Sequence, residues 1–266
     1  MQNGSNKMML MELPAIRPGC PTTPAKSLVM LRGLRRVALM LMIGASMTAC
    51  AGLSWLGGTS WKEEVLLHDG GKIVVRRSQS YGGRHELGQP EPIREHSISF
   101  KLSGSGRNIT WTSEFGEDIG QTNFTLLAVH MLNDVPYVIA ESNGCLSYNK
   151  WGRPNPPYII FKYDGKEWKR IPLEELPLEF KTFNVAISMP WDIRGRPLYF
   201  GKDNILSAES IKSRNANIRD PANQAILREA LAGGGGITSC EVLIQYKCGW
   251  GAPGEFNRKY FEKTCK

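Results

Sequence analysis

The chain has 266 residues, with 33 Lys and Arg against 25 Asp and Glu, a formal net charge of +8, and is 41% hydrophobic and 22% charged. Six of the basic residues but only one acid, Glu12, lie before residue 50, so the remainder is close to neutral at 27 bases against 24 acids. That removes the concentrated basic face a nucleic-acid binder needs, and the composition excludes both a disordered chain and a multispan membrane protein.

Residues 1–29 contain Pro14, Pro18, Pro21 and Pro24 without helical or strand period, and read as an extension ahead of a start at Met30. Arg32, Arg35 and Arg36 then precede an apolar run from Val37 to Ile43, and Met47-Thr48-Ala49-Cys50 follows. This is the order of a secretory leader, and the apolar run is far short of the roughly 20 residues a membrane-spanning helix needs. Residues 47–50 resemble the lipobox of bacterial lipoproteins. The resemblance implies that residues 30–49 are a signal peptide and that Cys50 becomes the N-terminus, carrying acyl chains on its thiol and amine. Ala51 in place of Asp implies sorting to the outer membrane. Each buried methylene contributes about 0.8 kcal/mol, so two or three such chains hold a domain to a bilayer without a spanning segment. An ordinary secretory signal that happens to end in Cys is the alternative. Residues 50–61 read as a tether and 62–266 as one β-rich domain.

Hairpins begin at Glu64–His68, Asp69-Gly70 and Lys72–Arg76, two β-branched runs around an Asp-Gly turn. Ser97–Leu102 and Asn108–Thr112 repeat the pattern, with Ile98, Phe100 and Leu102 alternating onto one face. Phe124–Leu132 with Pro136–Ala140, and Tyr158–Tyr163 with Glu167–Ile171, predict two more. Further strands are expected over Phe183–Met189, near Leu198, and over Glu241–Lys247. Eleven strands fall short of the roughly sixteen of a four-bladed propeller, so the prediction is an antiparallel hairpin meander forming a sandwich or curled sheet. Two helices are expected late, in an insertion at about 207–232: Ser207–Asn217, and a second capped by Asp220-Pro221 and running to Leu231.

Without Cys20 and Cys50, four cysteines remain: Cys145, Cys240, Cys248 and Cys265. In an oxidising compartment they predict two disulfides. A strand between Cys240 and Cys248 would hold them roughly 25 Å apart, which excludes that pair. Cys240 and Cys265 flank the turn-like Gly249–Gly254 run at similar distances, which favours Cys240 with Cys265 and leaves Cys145 with Cys248.

The chain contains no G-x-S-x-G, H-E-x-x-H or P-loop. No cofactor is expected. His85, Glu86 and His96 do not form a metal-ligand pattern, and solvated histidines explain them better. Glu114 with Glu117 or Asp118 would suit glycoside chemistry, but with 24 acids across the domain such pairs arise easily by chance. The segment Gly144–Tyr158 differs from the hairpin turns. It combines Pro154, Pro156 and Pro157 with Tyr148, Trp151, Arg153 and Tyr158, residue types that dominate binding hot spots. Those four side chains are the candidate ligand-binding set, and the competing reading is a rigid lid whose Trp151 caps the core.

Trp61–Gly70, Gly82-Gly-Arg-His-Glu86, Tyr148–Tyr158 and Tyr163–Pro172 together resemble a family of uncharacterised proteobacterial secreted or lipid-anchored proteins. The likeness covers residues 61 to about 180. It implies the compartment and a single domain, and it implies no activity or catalytic residues. The function expected from all of this is a non-catalytic outer-membrane lipoprotein whose periplasmic domain binds another envelope component, a protein or a glycan. The alternative is a glycan-binding or glycan-processing envelope protein.

Overall fold

The computed structural model describes residues 58–187, 205–218, 220–232 and 236–265. The leader, Cys50 and the strand expected near Leu198 lie outside the described residues. The protein is mainly β, and its sheets are antiparallel apart from one two-residue parallel pair.

Four strands form the first meander: β1 (Gly58–Leu66), β2 (Lys72–Tyr81), β3 (Ile93–Lys101) and β4 (Asn108–Ser113). The strand β1 takes in residues 58–61, the end of the expected tether. A short excursion through β5 (Phe115–Gly116) and β6 (Gln121–Thr122) leads to the second meander. That meander is β7 (Phe124–Leu132), β8 (Val135–Ser142), β9 (Tyr158–Tyr163) and β10 (Trp168–Ile171). All four expected hairpins are present. Between β7 and β8 the turn residues Asn133 and Asp134 both have positive φ, 51° and 60°. This two-residue turn matches the twist of the strands, and Asn and Asp tolerate it best after Gly.

The two sheets pack face to face as a sandwich. Val65, Val75, Ile98, Phe100 and Trp111 of the first meet Val129, Val138, Ala140 and Ile159 of the second in one core. Alternation sends Tyr137, Ile139, Tyr158 and Ile160 to the opposite face of the second sheet, where Leu176, Phe180, Phe183 and Ile226 cover them. The second sheet is therefore buried on both faces, which is why β7 to β9 read as apolar runs. A register shift between Leu126 and Ala128 leaves Leu127 as an extra residue. The bulge puts Leu127 and Ala128 together on the outer side and returns Val129 to the inner core.

Toward one end, the inner face of the first sheet turns polar. Glu63, fully buried, accepts from Trp61 Nε1 at 2.6 Å, Arg77 Nη1 at 3.0 Å and the Ala186 amide at 3.2 Å. Arg77 also donates to the Ala186 carbonyl at 2.7 Å and lies over the Trp61 ring. Next to this pair, Gln79 Nε2 and His96 Nδ1 are 3.0 Å apart. Burial, reinforced by the Arg77 charge, pushes His96 down to about 3.

Several expectations are corrected. Residues 183–187 form no strand. Instead the Asn184 amide accepts from the Val129 amide and donates to its carbonyl, at 2.9 and 2.7 Å, capping the free edge of β7 with a side chain. A helix does form at α2 (Ala208–Asn215), capped by Ser207 Oγ, following β11 (Ile205–Leu206). Asp220-Pro221 starts only a three-residue 3-10 turn, because the chain is diverted so that Tyr158 Oη can donate to the Ala222 and Ala225 carbonyls and accept from the Leu227 amide. Past Cys240, strand is limited to β12 (Ile244–Tyr246), paired with β13 (Gly249–Gly251).

Two disulfides form, with other partners than the sequence symmetry favoured. Cys145 joins Cys240, and Cys248 joins Cys265. The expected Cys240–Cys265 and Cys145–Cys248 pairs assumed a tail folded back around Gly251 as one hairpin. The tail instead ends in a helix, α3 (Glu255–Thr264), which carries Cys265 back to the β12–β13 turn at Cys248.

Candidate functional site

The aromatic segment begins with a second unexpected helix, α1 (Gly144–Lys150). Tyr148 on it is buried, and its hydroxyl donates to the Pro154 carbonyl at 3.1 Å. Tyr158, at the start of β9, is buried against Phe183. Burial pushes its phenol up to about 12. Arg153, with φ of 53°, stacks over Tyr148 and donates to the Cys240 carbonyl at 2.6 Å and the Glu241 carbonyl at 2.9 Å. Trp151 is half-buried, 4.7 Å from the Phe124 ring centroid and joined to the inner core, with Arg170 over its other side. Of the four expected ligand-binding residues, Tyr148 is thus closed to a ligand by burial and Arg153 is spent on carbonyls, while Tyr158, itself buried, stands in the wall of a cavity of about 430 Å³ with Pro154, Pro156 and Arg170. The segment braces the 240s chain against the sandwich, alongside the Cys145–Cys240 bond, in the lid arrangement.

The other sequence candidates do not converge either. His85 is exposed, within 3.0 Å of the Gly83 carbonyl, while His96 is buried under the first sheet. Among the described residues no group of three potential ligands could hold a metal ion. Glu114 and Glu117 are exposed, and Asp118 is taken by Lys150 at 2.8 Å and by Trp250 Nε1 at 3.3 Å. Partial burial works to raise the Asp118 carboxyl, but those two partners hold it below its usual range.

A cavity of about 650 Å³ lies elsewhere, between α2, the 182–184 segment and residues 223–224. Phe183, Ala208 and Ile211 supply apolar wall, and Asn184, Asn215 and Asn223 supply amides. Glu209 and Lys212 complete the lining from the exposed side of α2. Each wall is locked from behind. Asn215 donates to the Val185 carbonyl at 2.8 Å and accepts from the Ile187 amide at 3.2 Å. Asn184 also reaches the Leu66 carbonyl. A preformed concave site with apolar walls and a few fixed polar groups is the usual form of a ligand pocket.

Behind this cavity, Asn223 Nδ2 lies 3.4 and 3.5 Å from the two oxygens of Glu141 on β8. Burial pushes the Glu141 carboxyl up to about 7; the Asn223 contact opposes that, and the Asp220 charge adds to it. Sequence reasoning missed Glu141, although its signal was present: it is the one acid in the apolar run Val135–Ala140 and its extension. The amides carried no such signal, because Asn184, Asn215 and Asn223 share neither spacing nor local pattern.

Comparison of the chain with protein-family models, with curated proteins and with solved structures gives no match. The class rests on its own geometry: a disulfide-braced, mainly β sandwich with a flanking cavity.

Proposed function

We propose that this chain is a lipid-anchored outer-membrane protein, attached through acyl chains on Cys50, whose β-rich domain faces the periplasm and binds another envelope component. The leader order and the lipobox-like Met47–Cys50 support the anchor, and two closed disulfides fit an oxidising compartment. The observation that carries the binding role is the cavity of about 650 Å³, which lies within the size range of small-ligand sites.

The anchor is tested by metabolic labelling with a fatty-acid probe. Label should be present in the wild type and lost in Cys50→Ser, and equal label in both ends the lipobox reading. The cavity is tested with a photo-crosslinking residue at Lys212 in intact cells, with Leu87, on the exposed loop, as control. An adduct at position 212 that disappears when Ile211→Trp fills the cavity is the expected result. No adduct, or the same adduct at both positions, refutes it.

A second reading, that the bound component is a glycan and is processed, is favoured by Glu141. A carboxyl raised toward neutral pH and held against the cavity-lining Asn223 is what a general acid requires. Glu141→Gln should then retain binding of isolated envelope glycan and lose its cleavage, whereas equal turnover by both proteins would remove Glu141 from the chemistry.

A further inference from the structure

The outward face of the first sheet carries two registered rows with an unusual charge pattern. Ser60, Ser78, Ser97 and Thr112 are opposite one another across β1 to β4. The neighbouring row is Lys62, Arg76, Ser99 and Thr110. Lys62, Arg76, Thr110 and Thr112 are exposed, and the serines of β2 and β3 are half-buried. Two cations and six hydroxyls therefore share two adjacent rows of the sheet face.

Like charges placed directly opposite on neighbouring strands destabilise a sheet. A sequence selected for stability alone would put an acid across from Lys62, yet Arg76 stands there. Neither row contains a carboxylate. The nearest acid along β1, Glu64, is taken by Lys72 at 2.7 Å, and Glu95 lies opposite Ser80, beyond the hydroxyl row. Among the described residues neither Lys62 nor Arg76 has an ion-pair partner. Lys101, exposed at the end of β3 two residues from Ser99, adds a third cation. Two adjacent cations with hydroxyl donors on either side match the oxygens of a phosphate group.

The chain length decides which phosphate. The face begins two residues into β1, and eight residue steps separate Gly58 from Cys50, a contour of at most about 28 Å. On the anchored reading above, on which this inference rests, that short tether keeps β1 beside the headgroup layer.

We propose that the β1–β4 outer face lies on the anionic phosphate layer of the membrane that holds Cys50, with Lys62 and Arg76 as its contacts. The acyl chains supply attachment, and the sheet face sets how the domain stands on the surface.

The test uses the acylated protein on vesicles of phosphatidylcholine and of phosphatidylcholine mixed with phosphatidylglycerol. Modification of lysines by an amine reagent is followed by peptide mass, with Lys263 on α3 as the internal reference. Relative to Lys263, Lys62 should label roughly fivefold more slowly on the anionic vesicles than on the neutral ones, as attraction of this order per cation predicts. Raised salt should remove the difference. Arg76→Gln, an exposed change that keeps the hydroxyl rows, should bring Lys62 labelling on anionic vesicles most of the way back to the neutral rate. Protein that stays on both vesicles with Lys62 labelling equally overturns the sheet-face contact while sparing the anchor. Protein that stays on neither overturns the anchor and the tethered geometry with it. Protection of Lys62 by a soluble anionic glycan, without protection by vesicles, assigns the face to a glycan and overturns the proposal.

Discussion

Arg77→Met should be among the most damaging single changes outside the aliphatic core. The Arg77 and Glu63 side chains are 3% and 0% exposed and lie 3.0 Å apart. Met retains the apolar stem and removes the guanidinium. Glu63 would keep only two neutral donors, Trp61 Nε1 and the Ala186 amide, and the Ala186 carbonyl would lose its 2.7 Å donor. Breaking a buried ion pair from one side typically costs about 3 to 5 kcal/mol, because the remaining charge has no counterion. A domain of about 200 residues unfolds with an entropy of order 0.4 kcal/mol/K, so the midpoint should fall by roughly 10 °C. The assay is thermal and urea unfolding with both disulfides intact, completed as a double-mutant cycle with Glu63→Leu. The double variant should recover much of the loss, since neither buried charge remains. A shift of Arg77→Met below about 2 °C, or single costs that simply add, would refute the claim that this pair acts as a unit.

Acid should destabilise the protein well before its carboxylates titrate. His96 is held at about 3 and His130 at about 4, both below the ordinary 6.5 chiefly by burial, so the unfolded chain binds more protons between those values. Their contribution is complete above pH 6.5 and is lost as pH falls toward 4. Glu141 acts with the opposite sign: raised from 4.5 to about 7, it stabilises below 4.5 and loses about 3 kcal/mol as pH climbs to 7. Melting curves of Glu141→Gln across this range should show only the histidine slope, and an unchanged profile would contradict the burial assigned to Glu141. Opening Cys145–Cys240, 95 residues apart, should cost about 4 to 5 kcal/mol, against about 3 for Cys248–Cys265, 17 apart. Equal losses in the two paired Cys→Ser variants would disprove the loop-length ranking. Trp151→Ala should cost about 2 to 3 kcal/mol, because the ring packs on Phe124 inside the core. An unperturbed melting midpoint would restore the segment as a recognition surface.

Local chemistry was enough to identify the hairpins. Ile98 and Phe100 alternate onto one face because successive strand side chains point oppositely, and Asp69-Gly70 and Asn133-Asp134 mark turns because few other residues accept their backbone angles. The buried outer face of the second sheet was also foreshadowed, in the unbroken apolar runs of β7 to β9. The helix capped by Ser207 was legible for the same local reason, whereas α1 and α3 carried weak signals, neither having a side-chain cap at its start.

What depended on the meeting of distant segments could not be read in advance. Similar spacing on either side of the Gly249–Gly254 run suggested one pairing of cysteines, but a disulfide forms where two Cα atoms come within about 6 Å, and α3 decided which did. Tyr148, Trp151, Arg153 and Tyr158 have the composition of a binding loop. The carbonyls that Arg153 and Tyr158 reach, at Cys240, Glu241, Ala222 and Ala225, lie 64 to 88 residues away, and those partners turned the segment into a brace. The cavity likewise brings Asn184, Asn215 and Asn223 together from three separate stretches. Residue type and period determine which way a side chain points along its own strand or turn; tertiary packing alone determines what it finds there.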